Sequence, residues 1–277
     1  GNYIAGGSLY AVGLASCGIT NKHHEWIEPL LLQATTLHDE PFQAGAAFAL
    51  GLSHIGRGTE EIYCNLREVM QQELPISSLA AGISTGLLFL GRYGEIFVND
   101  ILRELIPLTV SSKHTNAQFG QGLGIALIYL GAQQAVEPIV AYLREELGVT
   151  TVFGRWLACW IDALAYIGTG NLTAVQRLMS AIVTDPDQDV KRCAVLAVAF
   201  VMIREPLQGI ELLEQLATSY NMYVRYGFAL SISMLANTNH LDNTTYRFVI
   251  KKALTIITQL LRYSSDIVRQ GELIGYA

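Results

Sequence analysis

The sequence predicts an all-α protein built from tandem helix–turn–helix repeats of about 35–40 residues. Three observations lead there. An apolar stretch rich in Gly and Ala recurs along all 277 residues. Its copies keep a common internal spacing at a period typical of solenoids and closed arrays. Between the copies lie segments with the i, i+3, i+4, i+7 apolar pattern of amphipathic helices.

The clearest copy runs from Gly45 to Gly56, and no Lys, Arg, Asp or Glu occurs between Pro41 and Gly56. A helix without a polar face has to be buried on several sides. Glycines inside a helix cost about 1 kcal/mol each relative to Ala. Close approach of a neighbouring backbone is the physical reason to keep them there.

Aligning on steps of 6 and then 5 residues gives the family of copies. Gly7, Gly13 and Gly18 form the first, and Gly45, Gly51 and Gly56 the second. Ala80, Gly86 and Gly91 form the third, then Gly120, Ala126 and Gly131 the fourth. Leu157, Ala163 and Gly168 are looser, and Cys193, Ala199 and Arg204 looser still. Gly227, Ser233 and Thr238 make the seventh, and Gly271 opens an eighth that stops at Ala277. First positions are separated by 38, 35, 40, 37, 36, 34 and 44 residues. Residues 1–277 therefore read as a single repeat domain of seven complete units and a truncated eighth, each unit burying its face against the next.

Within a unit, the small-residue helix is expected to end near a Gly that serves as left-handed C-cap. The second helix is amphipathic. Val175, Leu178, Met179 and Ile182 show this in the fifth unit. Ile250, Ala253, Leu254, Ile257, Leu260 and Leu261 show it in the seventh, with Arg247, Lys251, Lys252 and Arg262 expected to face water. Connectors carry turn and capping chemistry at Asp185–Asp189, Thr218–Asn221 and Ser264–Asp266. Each leads into Val and a nearby basic residue: Val190 with Arg192, Val224 with Arg225, and Val268 with Arg269.

Composition excludes several classes. Hydrophobic content is 51%, charged content 15% and mean hydropathy +0.32, so a polytopic membrane protein has to be weighed. The uncharged run from His114 to Val136 carries several Gln, and Leu74–Gly91 is broken by Pro75 and serines. Neither supplies the ~20 predominantly apolar residues a span needs. A net charge of −6 argues against nucleic acid, which requires basic patches. Cys17, Cys64, Cys159 and Cys193 are widely spaced, as in a reducing compartment and not in a disulfide framework. The chain opens on Gly-Asn-Tyr without a basic n-region, so no signal peptide is expected. It has no initiator Met and stops inside a repeat, as expected of a piece of a longer protein.

No catalytic, cofactor or metal site is expected. Gly120-Gln-Gly122-Leu-Gly124 is a weak echo of a dinucleotide loop and fits the repeat's small positions better. Asp185, Asp187 and Asp189 open like a calcium loop, but Val190 and Leu196 stand where Gly and Glu are required. His23 and His24 read as a surface loop pair; His38, His54, His114 and His240 show no ligand spacing. Asp162 is the oddest charge, set in an apolar helix, with Arg155 or Arg177 as candidate partners in a structural role.

The stretches Gly6–Ala15 and Ala44–Leu52 resemble the Gly/Ala-rich first helix of the proteasome/cyclosome repeat family. Asp189–Val195, Ser219–Gly227 and Asp266–Gly271 are also similar to repeats of that family. The resemblance covers essentially the whole chain. It implies an α-α toroid of two concentric helical rings, or an incomplete ring or curved solenoid segment. It further implies a non-catalytic scaffold in the base of the proteasome regulatory particle, in cytoplasm and nucleus. Its expected partners are ATPases, lid subunits and ubiquitin receptors, with no cofactor, nucleic acid or membrane. Alternative members are a ubiquitin-docking toroid of the same base and a scaffold subunit of the anaphase-promoting complex. Leu157 and Arg204 depart from the small-residue pattern.

Overall fold

The computed structural model describes residues 2–17, 24–37, 39–237, 243–262 and 265–276, and among them every regular element is helical. The chain forms two compact units, Gly1–Leu130 and Gly131–Ala277.

The first unit holds α1 (Asn2–Ser16), α2 (His24–Thr35), α3 (Glu40–Ser53), α4 (Glu60–Gln71), α5 (Pro75–Leu88), α6 (Ile96–Ser111) and α7 (Thr115–Ile128). The small-residue helices α1, α3, α5 and α7 pack side by side, each on the next. The amphipathic helices form a second layer, α2 on α3, α4 on α5 and α6 on α7. Two layers are what the sequence pattern requires, because an all-apolar helix needs cover on more than one side. Leu31, Leu50, Ile62, Leu66, Leu88, Leu105 and Ile125 fill the space between layers without exposure. Local chemistry sets the helix starts. Asp39 accepts from the Phe42 amide and Thr59 from the Ile62 amide, while Pro75 occupies the first turn of α5. A bond between repeats adds to this, as Glu40 Oε1 accepts from the Ile76 amide at 2.7 Å.

The second unit begins with an irregular outer segment. A 3-10 turn (Gln133–Val136) leads into α8 (Glu137–Tyr142), a π-helical turn (Leu143–Leu147) and α9 (Gly148–Thr150). Regular repeats follow: α10 (Val152–Ala165), α11 (Leu172–Thr184), α12 (Gln188–Val201), α13 (Pro206–Glu214), α14 (Met222–Ala236), α15 (Asn243–Leu260) and α16 (Asp266–Tyr276). Here α10, α12, α14 and α16 form the inner row, with α11 on α12, α13 on α14, and α15 on α14 and α16.

The expected faces appear with two corrections, at Leu254 and Lys252. Val175, Leu178 and Ile182 are buried in α11, and Met179 is half-buried. In α15 the buried stripe is Val249, Ala253, Ile256, Ile257 and Leu260, whereas Leu254 is 42% exposed. Leu254 sits about 100° round the helix from Ala253, beyond the edge of that stripe. Lys252, expected to face water, is half-buried and pairs with Glu214 at 3.1 Å. Val190, Val224 and Val268, each just after a connector, are buried and anchor the starts of α12, α14 and α16.

Candidate functional site

The repeat positions divide into two physical kinds. At the first kind, backbones touch. A Cβ on Gly13 would stand 2.5 Å from Ala49 Cα, on Gly51 2.8 Å from Ser84 Cα, on Gly86 2.5 Å from Gly124 Cα, and on Gly120 2.6 Å from Leu79 Cα. Gly45 is closed off in the same way by the Gly6 carbonyl. In the second unit a Cβ on Gly227 would stand 3.1 Å from Arg192 O, and one on Gly271 would stand 2.7 Å from the Tyr226 ring, a side chain in place of backbone. Gly7 has nothing within 4 Å, and its neighbour Gly6 makes the close contact instead, against Pro41 O. At the first position of the first copy the contact is therefore one residue earlier than the alignment places it, while Gly13 keeps its aligned position.

Gly56, Gly91, Gly131 and Gly168 are the second kind. All have positive φ, between 66° and 74°, and each lies just beyond the end of a small-residue helix. Their amides donate to Leu87 O (3.0 Å), Leu127 O (3.3 Å), Leu164 O (3.0 Å) and Phe200 O (3.0 Å) respectively. Every one of these acceptors is the next-to-last residue of the following inner helix, where carbonyls lack an intrahelical donor. At Gly56, Gly91 and Gly168 one glycine thus ends its own helix and caps its neighbour. Gly58 and Gly170 repeat the contact one residue on, at Leu88 O and Val201 O.

The departures now have reasons. Arg204 lies in an exposed turn after α12 with no positive φ, and its side chain lies 3.2 Å from where a Cβ on Gly168 would stand. Leu157 is 1% exposed and fills core. Gly18 and Thr238 lie outside the described residues.

Asp162 is fully buried in α10. Its carboxylate accepts from Arg177 Nη2 at 2.7 Å and from Arg144 Nη2 at 3.1 Å. Arg177 also donates to Glu137 at 2.6 Å, and the Tyr166 hydroxyl donates to the same carboxylate at 2.5 Å. Of the two expected partners, Arg177 is present and Arg155 is not. Arg155 instead pairs with Asp185 at 2.7 Å. Arg144 was missed because it sits in the irregular segment, where helical spacing gives no guide. Burial raises Asp162 above the usual aspartate range, and the two guanidiniums pull against that rise. The Arg177 bond draws Glu137 down, while burial and Glu137 push Tyr166 up to about 12. Both carboxylates are committed to fixed cations, an arrangement that locks α8, α10 and α11 together.

The other motifs serve as turns and packing. Asp185 accepts from the Asp187 amide, and Asp187 caps the Asp189 and Val190 amides at the start of α12. In the Gly120–Gly124 string, Gly120 and Gly124 face α5. With Gly82 and Gly86 they form two G-x-x-x-G pairs in contact, a small-residue signal readable in the sequence. His24 opens α2, not a loop; His23, His38 and His240 lie outside the described residues. His54 Nε2 is 3.1 Å from Glu28 Oε2, and His114 precedes α7. Cys159 and Cys193 are buried, and burial pushes the Cys193 thiol up, the environment of an unreactive thiol. Among the described residues no three His, Cys, Asp or Glu group to hold a metal, and no helix is long and apolar enough to cross a membrane.

Comparison with known proteins gives one consistent result. No family model matches the chain. The 26S proteasome non-ATPase regulatory subunit 1 homolog A of Arabidopsis thaliana is 34% identical over 279 residues, 99% of this chain and 25% of the relative. The 26S proteasome regulatory subunit rpn2 of Schizosaccharomyces pombe is 32% identical over 275 residues, 99% of this chain and 26% of the relative. The Caenorhabditis elegans 26S proteasome non-ATPase regulatory subunit 1 is 29% identical over 276 residues, 98% of this chain and 26% of the relative. The chain spans about a quarter of the length of the curated relatives it matches. Along 99% of its length the chain is similar to a segment of proteins named 26S proteasome non-ATPase regulatory subunit 1 or Rpn2.

Proposed function

We propose that this chain is part of a non-catalytic scaffold subunit in the base of the 26S proteasome regulatory particle. It would hold ATPases, lid subunits and ubiquitin receptors in place for ubiquitin-dependent degradation in cytoplasm and nucleus. The observation that carries this reading is near-complete coverage of the chain by relatives named as proteasome regulatory subunits. The architecture supports it. Rows of inner helices held at backbone contact and cross-capped by glycine amides make a stiff body, which suits a part whose work is geometric. Asp162, the fully buried acid, is paired with Arg177 and Arg144, as in a structural ion cluster that ties helices together. The test is affinity purification of the tagged full-length parent protein, with mass spectrometry and a peptidase assay. Co-purification of proteasomal ATPases, lid subunits and peptidase activity is expected. Recovery of none of them overturns the assignment and leaves only the repeat fold.

A further inference from the structure

Cys159 on α10 and Cys193 on α12 meet between neighbouring helices of the second unit's inner row. Both are buried, and the two thiols lie close enough to interact directly. The repeat gives their spacing. Cys193 opens the sixth copy as Gly227 opens the seventh, and Cys159 follows Leu157 by two residues as Val195 follows Cys193. Gly227 and Val195 are therefore the same pair of positions one repeat on. There, a Cβ on the glycine would stand 3.3 Å from Val195 Cβ. The backbone register agrees. The Cys193 thiol donates to Trp156 O at 3.8 Å, and a Cβ on Gly227 would lie 3.1 Å from Arg192 O, the matching carbonyl. A disulfide spans about 3.8 Å between Cβ atoms, so α10 and α12 already stand near bonding separation. Each residue also borders a cavity. Cys159 lines one of about 170 Å³ with Arg144 and Arg155, and Cys193 one of about 340 Å³ with Trp156 and Tyr226.

We propose that Cys159 and Cys193 are a modification site, a dithiol that a small peroxide converts to a disulfide between neighbouring repeats. One sulfur attacks the peroxide, forming an S–O bond as the O–O bond breaks, and a sulfenic acid and water result. The second sulfur then attacks the first, forming the S–S bond as the S–O bond breaks, and the oxygen leaves with a proton as a second water. Two thiols and one hydrogen peroxide thus give one disulfide and two waters, with two electrons passing from sulfur to oxygen. Burial keeps each thiol a poor nucleophile toward bulky reagents, so the pair rests reduced. Proximity within the fold favours the closing step. The bond would tie α10 to α12 and enclose α11 in the span from 159 to 193, fixing a pair of inner helices that lack the glycine contacts of the first unit. This site requires only the folded chain and is independent of the proteasome assignment.

The test treats the native full-length parent protein with hydrogen peroxide. Remaining thiols are then blocked with N-ethylmaleimide in denaturant, and tryptic peptides are mapped by mass spectrometry. Cleavage after Arg155, Arg177, Arg192 and Arg204 places Cys159 in the peptide 156–177 and Cys193 in 193–204. These two are expected as one linked species, two hydrogens lighter than their sum, which dithiothreitol separates. Without peroxide both should be recovered separately, each carrying the maleimide. The 159–193 link should exceed any link to the exposed Cys17 by about tenfold or more, because only the folded pair is held in reach. Unfolding the protein in urea before oxidation should erase that preference. In Cys193→Ala, which places there the residue found at Ala80 in the third copy, peptide 156–177 should be recovered unlinked. Recovery of both native peptides with maleimide, under peroxide that oxidises Cys17, overturns the proposal. So does their conversion to unlinked sulfinic acids, a link from either to another cysteine in its place, or a link that forms only in urea.

Discussion

The amide of Gly131 donates to the carbonyl of Leu164 at 3.0 Å, from a residue with φ of +74° that has nothing within 4 Å of where a Cβ would stand. Space is therefore free, and only backbone conformation demands glycine. Gly131→Ala should cost about 1–2 kcal/mol, the penalty of the left-handed region for an L-residue. Gly131→Asn should cost less, since Asn tolerates that region. Urea denaturation of the three proteins checks this. Equal loss for Ala and Asn would show that contact, not φ, is decisive.

At Gly86 the reason is reversed. The helix conformation is ordinary, but a Cβ would stand 2.5 Å from Gly124 Cα, and backbone cannot step aside. Gly86→Ala should destabilise by about 1–3 kcal/mol, and Gly51→Leu, against Ser84, by at least as much. Gly7→Ala is the control. Gly7 is exposed in α1 and meets nothing, so helix propensity alone predicts a gain of about 0.5–1 kcal/mol. Thermal melts should move in opposite directions for Gly7 and Gly86.

These two kinds of glycine mark how far sequence could reach. Period, helix type and layer were legible because an all-apolar Gly/Ala helix has few other ways to be buried, and because the period recurs over the whole chain. The one-residue offset at Gly6 was not legible. Gly6 and Gly7 are adjacent, and only the placement of Pro41 chooses between them. The capping amide of Gly168 was also hidden, since its acceptor Phe200 lies 32 residues on in the chain. Arg144 reaches Asp162 from a segment interrupted by 3-10 and π-helical turns, where regular spacing fails. Leu254 was misplaced because a stripe read by i, i+3, i+4 steps has soft edges.

The connector between α11 and α12 offers a milder change. Asp187 Oδ1 accepts from the Asp189 and Val190 amides at 2.9 and 3.1 Å, satisfying two donors that the helix itself leaves open. Asp187→Ala should cost about 1 kcal/mol and Asp187→Asn a few tenths. A larger loss with Asn than with Ala, measured by chemical denaturation, would sink the capping explanation.

The cluster around Asp162 makes the sharpest claim, because its two carboxylates titrate in opposite senses. Glu137 lies below its usual value, mainly through the Arg177 bond. Its contribution is complete above the ordinary glutamate range and is lost as pH falls through the folded value. Asp162 lies above its usual value, mainly through burial. The folded state then holds its proton more tightly than the unfolded state does, so that ionised group opposes folding as pH rises. Arg177→Met removes the cation from both, leaving Asp162 with Arg144 alone. At neutral pH the loss should be about 3–5 kcal/mol, the cost of breaking a buried pair on one side. On acidification through the carboxylate range at about pH 4, the parent loses its Glu137 stabilisation, while the variant gains as Asp162 takes up a proton. The stability gap between parent and variant should therefore narrow steadily as pH falls. A gap that holds constant or widens in urea titrations across that range would show that Arg177 acts by packing its aliphatic stem, and not by its charge.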